Sequence, residues 1–394
     1  MNVDIAEQGS DLTDGSGQKL LTPTSTEEVA QVLRAAVAGE DRFSMSRVTA
    51  EGANSSSDSV RRIDLQKMSA VVDYPARDMT VTVQAGMPVS ELKKIFAEEK
   101  QQLPIDEFDS SITVGALVAG DVAGPRQYGY GTLRDYVIGI EAVDGRGRIF
   151  HAGGRVVKNV AGYDLCRLMV GSRGSLGILT QVTFKLKPLP EHSLLRSFRF
   201  ENPGDFETAL TRLNVSAANP VLLDFNFASA TPVQQQSGDA GCDRASHPYA
   251  LHIGVEGTQA ACSWQAEQLR NDCADGEEIT PDDSTAVSAD HHCRDAGYRW
   301  KHDAVRIRTF PSKLVAVAAE LGASGYSSQG HAGNGILFVQ NEIGDEDVRT
   351  VCEDIVSRHG GTVSEWTVDH PAKTSDPLSA RLRSMFDPSS LFTM

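Results

Sequence analysis

The chain has 394 residues, 40% of them hydrophobic, with room for two domains or for one large core with an insertion. Its net charge of −16 excludes a phosphate-backbone binder, which needs a basic face to displace counterions. No window approaches about twenty consecutive apolar residues, so no membrane span is expected, and the polar, acidic start MNVDIAEQGSDLTDGSGQ predicts a cytoplasmic protein without a secretory leader.

The first helix follows residues 1–18, which are expected to be disordered. Ser25-Thr26-Glu27-Glu28 forms a capping box, Val29, Val32, Leu33, Ala36 and Val37 an apolar face, and Gly39 a stop. A short strand near Phe43 and a polar loop through Ser59 come next. Met79–Gln84 alternates as a strand ending at Gly86, and Pro88 and Ser90 open a helix with Val89, Leu92, Ile95 and Phe96 inward. Val137–Val143 and Arg148–His151 read as a hairpin around Asp144-Gly145. Leu176–Lys187 alternates as a strand, with Ile178, Val182, Phe184 and Leu186 on one face and Thr180, Thr183 and Lys185 on the other.

Glycine density falls past Pro190. Strands are expected at 194–200, 220–227, 249–256, 305–309, 323–329 and 335–341, and helices at 204–214, 258–270, 312–321 and 345–358. That alternation predicts one antiparallel sheet with helices on one side, a ferredoxin-like layer. The polar stretches 228–247 and 271–296 read as loops or disordered insertions. The six cysteines, at 166, 242, 262, 273, 293 and 352, show no CxxC spacing, so no metal site is expected and reduced thiols are the reading.

Three segments carry candidate chemistry. Ser111–Gly124, SITVGALVAGDVAG, is a small-residue turn whose backbone N–H groups are expected to face an anion. Pro125–Asp135, PRQYGYGTLRD, holds two tyrosines, two arginines and a closing aspartate. Gly153–Pro188 is dense in glycine, which chains keep where φ must be positive or a ligand touches the main chain. Gly171-Ser-Arg-Gly-Ser-Leu-Gly177 is not a dinucleotide fingerprint, because its spacing is GxxGxxG and a strand follows it.

In order and spacing, several of these residues resemble the FAD-binding subunits of glycolate oxidase, the E-type subunit in particular. That places them within the flavoprotein family of vanillyl-alcohol oxidase and D-lactate dehydrogenase. They are Thr113-Val114-Gly115, Gly124-Pro125-Arg126, Tyr130-Gly131, Arg134-Asp135, Lys158-Asn159, Tyr163-Asp164 and Gly174-Ser-Leu-Gly177-Ile178, with weaker echoes at Gly330-His331-Ala-Gly-Asn-Gly335 and Phe386–Phe392. The resemblance implies an α+β fold: a two-subdomain FAD-binding domain of the PCMH type over 1–190, then a ferredoxin-like α+β cap domain over 191–394. It implies noncovalent FAD, with Gly115 and Ala119 at the pyrophosphate, and Arg134 and Asp135 holding the turn beside it. Gly177 and Ile178 would lie along the flavin, and Thr113, Gly124, Tyr130, Gly131 and Asn159 would border the cofactor.

The resemblance also implies that a small 2-hydroxy acid gives hydride to flavin, and that electrons leave through a companion flavoprotein subunit and an iron–sulfur subunit that dock at the membrane periphery. His331 matches a position near the substrate or a metal in catalytic relatives, which makes it the candidate catalytic residue. One departure stands out. Where the family carries a glycine run, this chain reads Ser44-Met45-Ser46-Arg47-Val48-Thr49. Val resists positive φ, so phosphate contacts would fall to the side chains of Ser46 and Thr49.

Blander readings stay open beside these. Tyr163 and Asp164 would hydrogen-bond within their turn, Arg134–Asp135 would be a local ion pair, and His331 a structural histidine. At the level of the whole chain, the rivals are a non-catalytic scaffold subunit that binds FAD weakly and a stand-alone 2-hydroxy acid dehydrogenase.

Overall fold

The computed structural model describes residues 12–13, 19–39, 42–45, 60–106, 111–122, 124–154, 163–227, 249–279, 304–340, 348–366 and 377–392. Ser46, Thr49, Asn159 and the polar stretch 228–247 lie outside them, as does 271–296 beyond Ile279. Of the segment 1–18, Leu12–Thr13 forms a short strand paired with Lys19–Leu21, and the rest lies outside the described residues.

The chain divides into two units. One comprises Met1–Ala123, Thr132–Leu189 and Asp369–Met394, the other Gly124–Gly131 and Pro190–Val368. A single cut at residue 190 is thus corrected at two places. The C-terminal segment returns to the first unit because Gly145 N–H donates to Phe386 O (2.8 Å) and the Phe386 ring meets that of Phe150. Asp387 then accepts from the N–H groups of Leu391 and Phe392 (2.8 and 2.9 Å).

In the first unit the helix Thr26–Gly39 begins as its capping residues require. Ser25 Oγ accepts from Glu28 N–H (3.2 Å), while the Glu28 carboxylate accepts from Thr24 N–H and Oγ (2.7 and 2.9 Å). Its buried stripe is Val29, Ala30, Leu33 and Ala36. Val37 is solvent-exposed instead, because Ala30 lies nearer the centre of the stripe.

A five-stranded sheet follows, in the spatial order 71–73, 80–84, 178–185, 137–143, 149–153, antiparallel throughout. Its strand Ile178–Lys185 buries Ile178, Thr180, Val182 and Phe184. Thr180 therefore belongs to the buried face. Its hydroxyl is satisfied there by the Glu141 carboxylate (2.9 Å), which offsets the cost of taking a polar group out of water.

The second unit is built on an eight-stranded sheet in the order 277–278, 192–200, 249–257, 222–227, 328–331, 336–340, 304–308, 362–366, every pair antiparallel. Taken in chain order, each half reads strand–helix–strand–strand–helix–strand. The helices are Pro203–Asn214 and Gln259–Asp272 in one half, Leu314–Ala323 and Val348–His359 in the other. The first half pairs its strands as 4-1-3-2, the second as 2-3-1-4, and the two second strands (222–227 and 328–331) join them. The unit is therefore two ferredoxin-like layers fused edge to edge.

One face of that sheet packs on the helices through Phe198, Leu223, Phe225, Leu251, Ile253, Ile307, Leu337 and Val339. Burying one such aromatic or aliphatic side chain is worth about 1.5–3 kcal/mol. The expected strand at 323–329 is corrected to Ser328–His331, because the helix runs to Ala323 and Gly325 then turns the chain at φ 90°. The edge strand Thr362–Trp366 and the helix Pro377–Phe386 have no counterpart among the sequence expectations.

Candidate functional site

In the first unit the small-residue turn becomes the helix Val114–Gly120, capped by Thr113 Oγ accepting from Ala116 N–H. Val114 N–H donates to Met87 O (2.9 Å) and Gly115 N–H to Ala85 O (2.7 Å). The free N–H expected at Gly115 is thus corrected: its donor is already spent on the neighbouring chain segment. A Cβ on Gly115 would stand 3.1 Å from Ala85, which accounts for the glycine by packing. Ala119 accepts from Arg173 N–H (2.8 Å) through its carbonyl.

Arg134 and Asp135 do not pair with each other. Arg134 lies 3.7 Å from Asp121, whereas Asp135 accepts from Thr132 N–H and Oγ (2.8 and 2.9 Å). The Thr132 N–H, more than any nearby charge, holds the Asp135 carboxyl below its ordinary range. Asp164 caps the helix Leu165–Met169 by accepting from Arg167 N–H (3.0 Å), and Tyr163 is almost fully exposed.

The glycine-rich loop 171–177 differs from its surroundings. Gly171, Arg173, Gly174 and Gly177 all have positive φ. A Cβ on Gly177 would sit 2.7 Å from Val143 O, so only glycine allows this close approach. The Ser172 hydroxyl is buried with no hydrogen-bond partner among the described residues. Ile178, next along, is buried within the sheet opposite Val143.

In the second unit the segment Gly124–Gly131 lies on the sheet face opposite the helices. Glu256, its side chain almost wholly buried, takes Arg126 at 3.3 Å and the Tyr130 hydroxyl as partners. Gly129 N–H donates to Val221 O (3.1 Å), and Tyr128 packs so closely on Gly333 that a Cβ there would meet the ring at 2.1 Å. Tyr130 thereby anchors the segment, and Gly131 ends it at φ 88°.

Beside Gly333, His331 is 2% exposed, its Nδ1 2.7 Å from Asp224 Oδ1, with Phe338 edge-on to its ring. Asn334 Nδ2, on the same turn, is buried without a partner among the described residues. Arg308 shares the open face and the strand row of His331, with Ile336 between them. Glu256 and Asp224 escape the sequence reading; the only signal is an acidic residue inside an apolar strand, as in LLDFNF.

Residues 18–153 match the FAD binding domain family. The chain contains an FAD binding domain. Its cofactor is FAD, and the described residues fit that group at the loop 171–177, where an unpartnered buried hydroxyl and close-approach backbone suit a polar, extended ligand. The helix Val114–Gly120 offers less, since its first N–H groups are already taken.

Among curated proteins, the chain is 38% identical over 134 residues to glycolate oxidase subunit GlcE of Escherichia coli, covering 34% of this chain and 38% of that one. D-lactate dehydrogenase of Anaerostipes hadrus is 31% identical over 210 residues (52% and 44% covered). Glycolate oxidase subunit GlcD of Bacillus subtilis is 34% identical over 159 residues (40% and 34%). The matches thus span less than half the length of each of these relatives. Among solved structures, alkyldihydroxyacetonephosphate synthase superposes with a TM-score of 0.68 at 17% identity, covering 94% of this chain and 75% of that one, which establishes the shared fold. Among the described residues no helix is long and apolar enough to cross a membrane.

Proposed function

We propose that the chain is the FAD-binding subunit of a glycolate oxidase-type complex that oxidises a small 2-hydroxy acid, glycolate or D-lactate, to its 2-oxo acid. The observation that carries this reading is the similarity to glycolate oxidase subunits and a D-lactate dehydrogenase, together with the FAD binding domain. FAD, when bound, supplies the acceptor for the α-hydrogen and its electron pair. The loop 171–177, with Ser172 and Gly177, would hold it, together with Thr113, Ala119, Gly124 and Ile178 and, outside the described residues, Ser46, Thr49 and Asn159. His331 is the proposed base for the substrate hydroxyl, and Arg308, on the same sheet row, the proposed anchor for its carboxylate. Electrons would pass to a companion flavoprotein subunit and an iron–sulfur subunit. The complex would be cytoplasmic, peripheral to the membrane through those partners.

Purifying the full chain with its co-expressed partners and recording the visible spectrum tests this. The expectation is near one FAD per chain, bleached anaerobically by glycolate or D-lactate. A flavin that neither acid bleaches in the assembled complex overturns the reading. A second reading, a scaffold subunit that binds FAD poorly, is favoured by the occupied Gly115 N–H and by Ser46-Arg47-Val48 where the family resemblance implies a glycine run. It expects flavin well below one equivalent even in the complex.

A further inference from the structure

The face of the eight-stranded sheet opposite its helices carries a row of polar residues in register. Ser197 stands opposite His252, His252 opposite Asp224, and Asp224 opposite His331, so four neighbouring strands each contribute one residue. All four are buried, at 5%, 5%, 0% and 2% exposure. Four polar residues aligned across a sheet and shut from solvent are costly unless they satisfy one another. They do: His252 Nδ1 is 2.8 Å from Ser197 Oγ, Asn226 Nδ2 is 3.1 Å from His252 Nε2, and Asp224 Oδ1 is 2.7 Å from His331 Nδ1.

The donors and acceptors decide the protonation pattern. With its amide nitrogen toward His252 Nε2, Asn226 donates there, an arrangement that suits the His252 tautomer with its proton on Nδ1, toward Ser197. Ionised, the Asp224 carboxylate only accepts, and the group facing it at 2.7 Å, His331 Nδ1, is then the donor.

We infer that Asp224 is the positioning residue of the proposed site: it holds the His331 ring in the tautomer with the proton on Nδ1, which makes Nε2 the atom that accepts a proton. This rests on the reading of His331 as the base. In that reaction the 2-hydroxyl O–H breaks and its proton passes to His331 Nε2. FAD, when bound, would supply the acceptor for the α-hydrogen and its electron pair, which would leave the C=O bond of the 2-oxo acid. Asp224 then faces an imidazolium and stabilises it, as a buried carboxylate behind a catalytic histidine does. Beyond it in the row, His252 Nδ1 is paired with Ser197 Oγ.

Two measurements test the inference and separate it from the reading beneath it. The full chain labelled with ¹⁵N-histidine, in long-range ¹H–¹⁵N spectra at neutral pH, is expected to show His331 protonated on Nδ1 and bare on Nε2. The Asp224→Asn variant is expected to lose that pattern. A wild-type His331 protonated on Nε2 alone overturns the inference, whatever the activity. In the assembled complex, Asp224→Asn is expected to slow flavin reduction by about 10²- to 10⁴-fold with KM and flavin content little changed, the size seen when a histidine's tautomer is reversed. Normal reduction by Asp224→Asn alongside a crippled His331→Ala removes Asp224 from the site. Normal reduction by His331→Ala removes the base itself, and with it the reading on which the inference stands.

Discussion

The two halves of the eight-stranded sheet share a topology and differ on one face. Toward the helices both are apolar, with Phe198, Leu223, Phe225, Leu251 and Ile253 in the first half and Val305, Ile307, Leu337 and Val339 in the second. On the open face the first half presents Ser197, His252 and Asp224, whereas the second presents the apolar cluster Ala304, Ile336 and Phe338. That half also carries Arg306 and Arg308 on this face, and His331, which sits at the joint, opposite Asp224. Because side chains alternate across a strand, the two faces answer to separate constraints. The helix-side face holds the fold together, which leaves the other free to take on chemistry.

Three experiments break or sharpen that contrast. The largest effect is expected in the shared core. Phe206, which meets the rings of Phe200, Phe225 and Phe227, loses about 3–5 kcal/mol on truncation to Ala, and Leu321→Ala in the second half about 2–5 kcal/mol. Both lie in one continuous core, so denaturant melts of the two variants should shift a single transition. Two separable transitions, each moved by one variant only, would show that the halves fold independently.

Next comes the open face of the first half. Glu256→Ala leaves the buried Arg126 without its carboxylate and Tyr130 without its acceptor, and is expected to cost about 3 kcal/mol. A loss below about 1 kcal/mol, read by the same melts, would mean that the segment Gly124–Gly131 adds little to this unit.

The smallest effect compares the two helix layers by their thiols. Burial pushes the Cys273 thiol of the first half and the Cys352 thiol of the second each up to about 12. At pH 8 on the order of one in 10⁴ of either is a thiolate, so both should resist alkylation alike until the protein unfolds. Fast labelling of one of them in the native state would show that its half opens locally.

Much of the local structure is legible in the sequence. The cap at Ser25–Glu28 and the stripe Val29, Leu33 and Ala36 announce the first helix, and alternation announces the strand 178–185, because both signals depend on near neighbours. Thr180 misleads for the same reason: its chemistry suggests solvent, and only the distant Glu141 carboxylate explains its burial. The glycine-rich loop stands out by composition and proves to hold the positive-φ backbone. Gly115, in contrast, suggests a free N–H that Ala85, thirty residues earlier, already holds. Asp224, Glu256 and the doubling of the sheet leave almost no trace, since each exists only through strand pairing.

By itself, the sequence determined the FAD binding domain, the positions of most helices and strands, and the glycine-rich loop that takes positive φ. These follow from short-range rules of capping, alternation and positive φ. Tertiary structure alone decided that residues 124–131 pack with the second unit, that Asp121, not Asp135, faces Arg134, and that Asp224 and His331, 107 residues apart, meet across one strand pair. Those outcomes depend on register between distant strands, and pairing across such distances has no local signature.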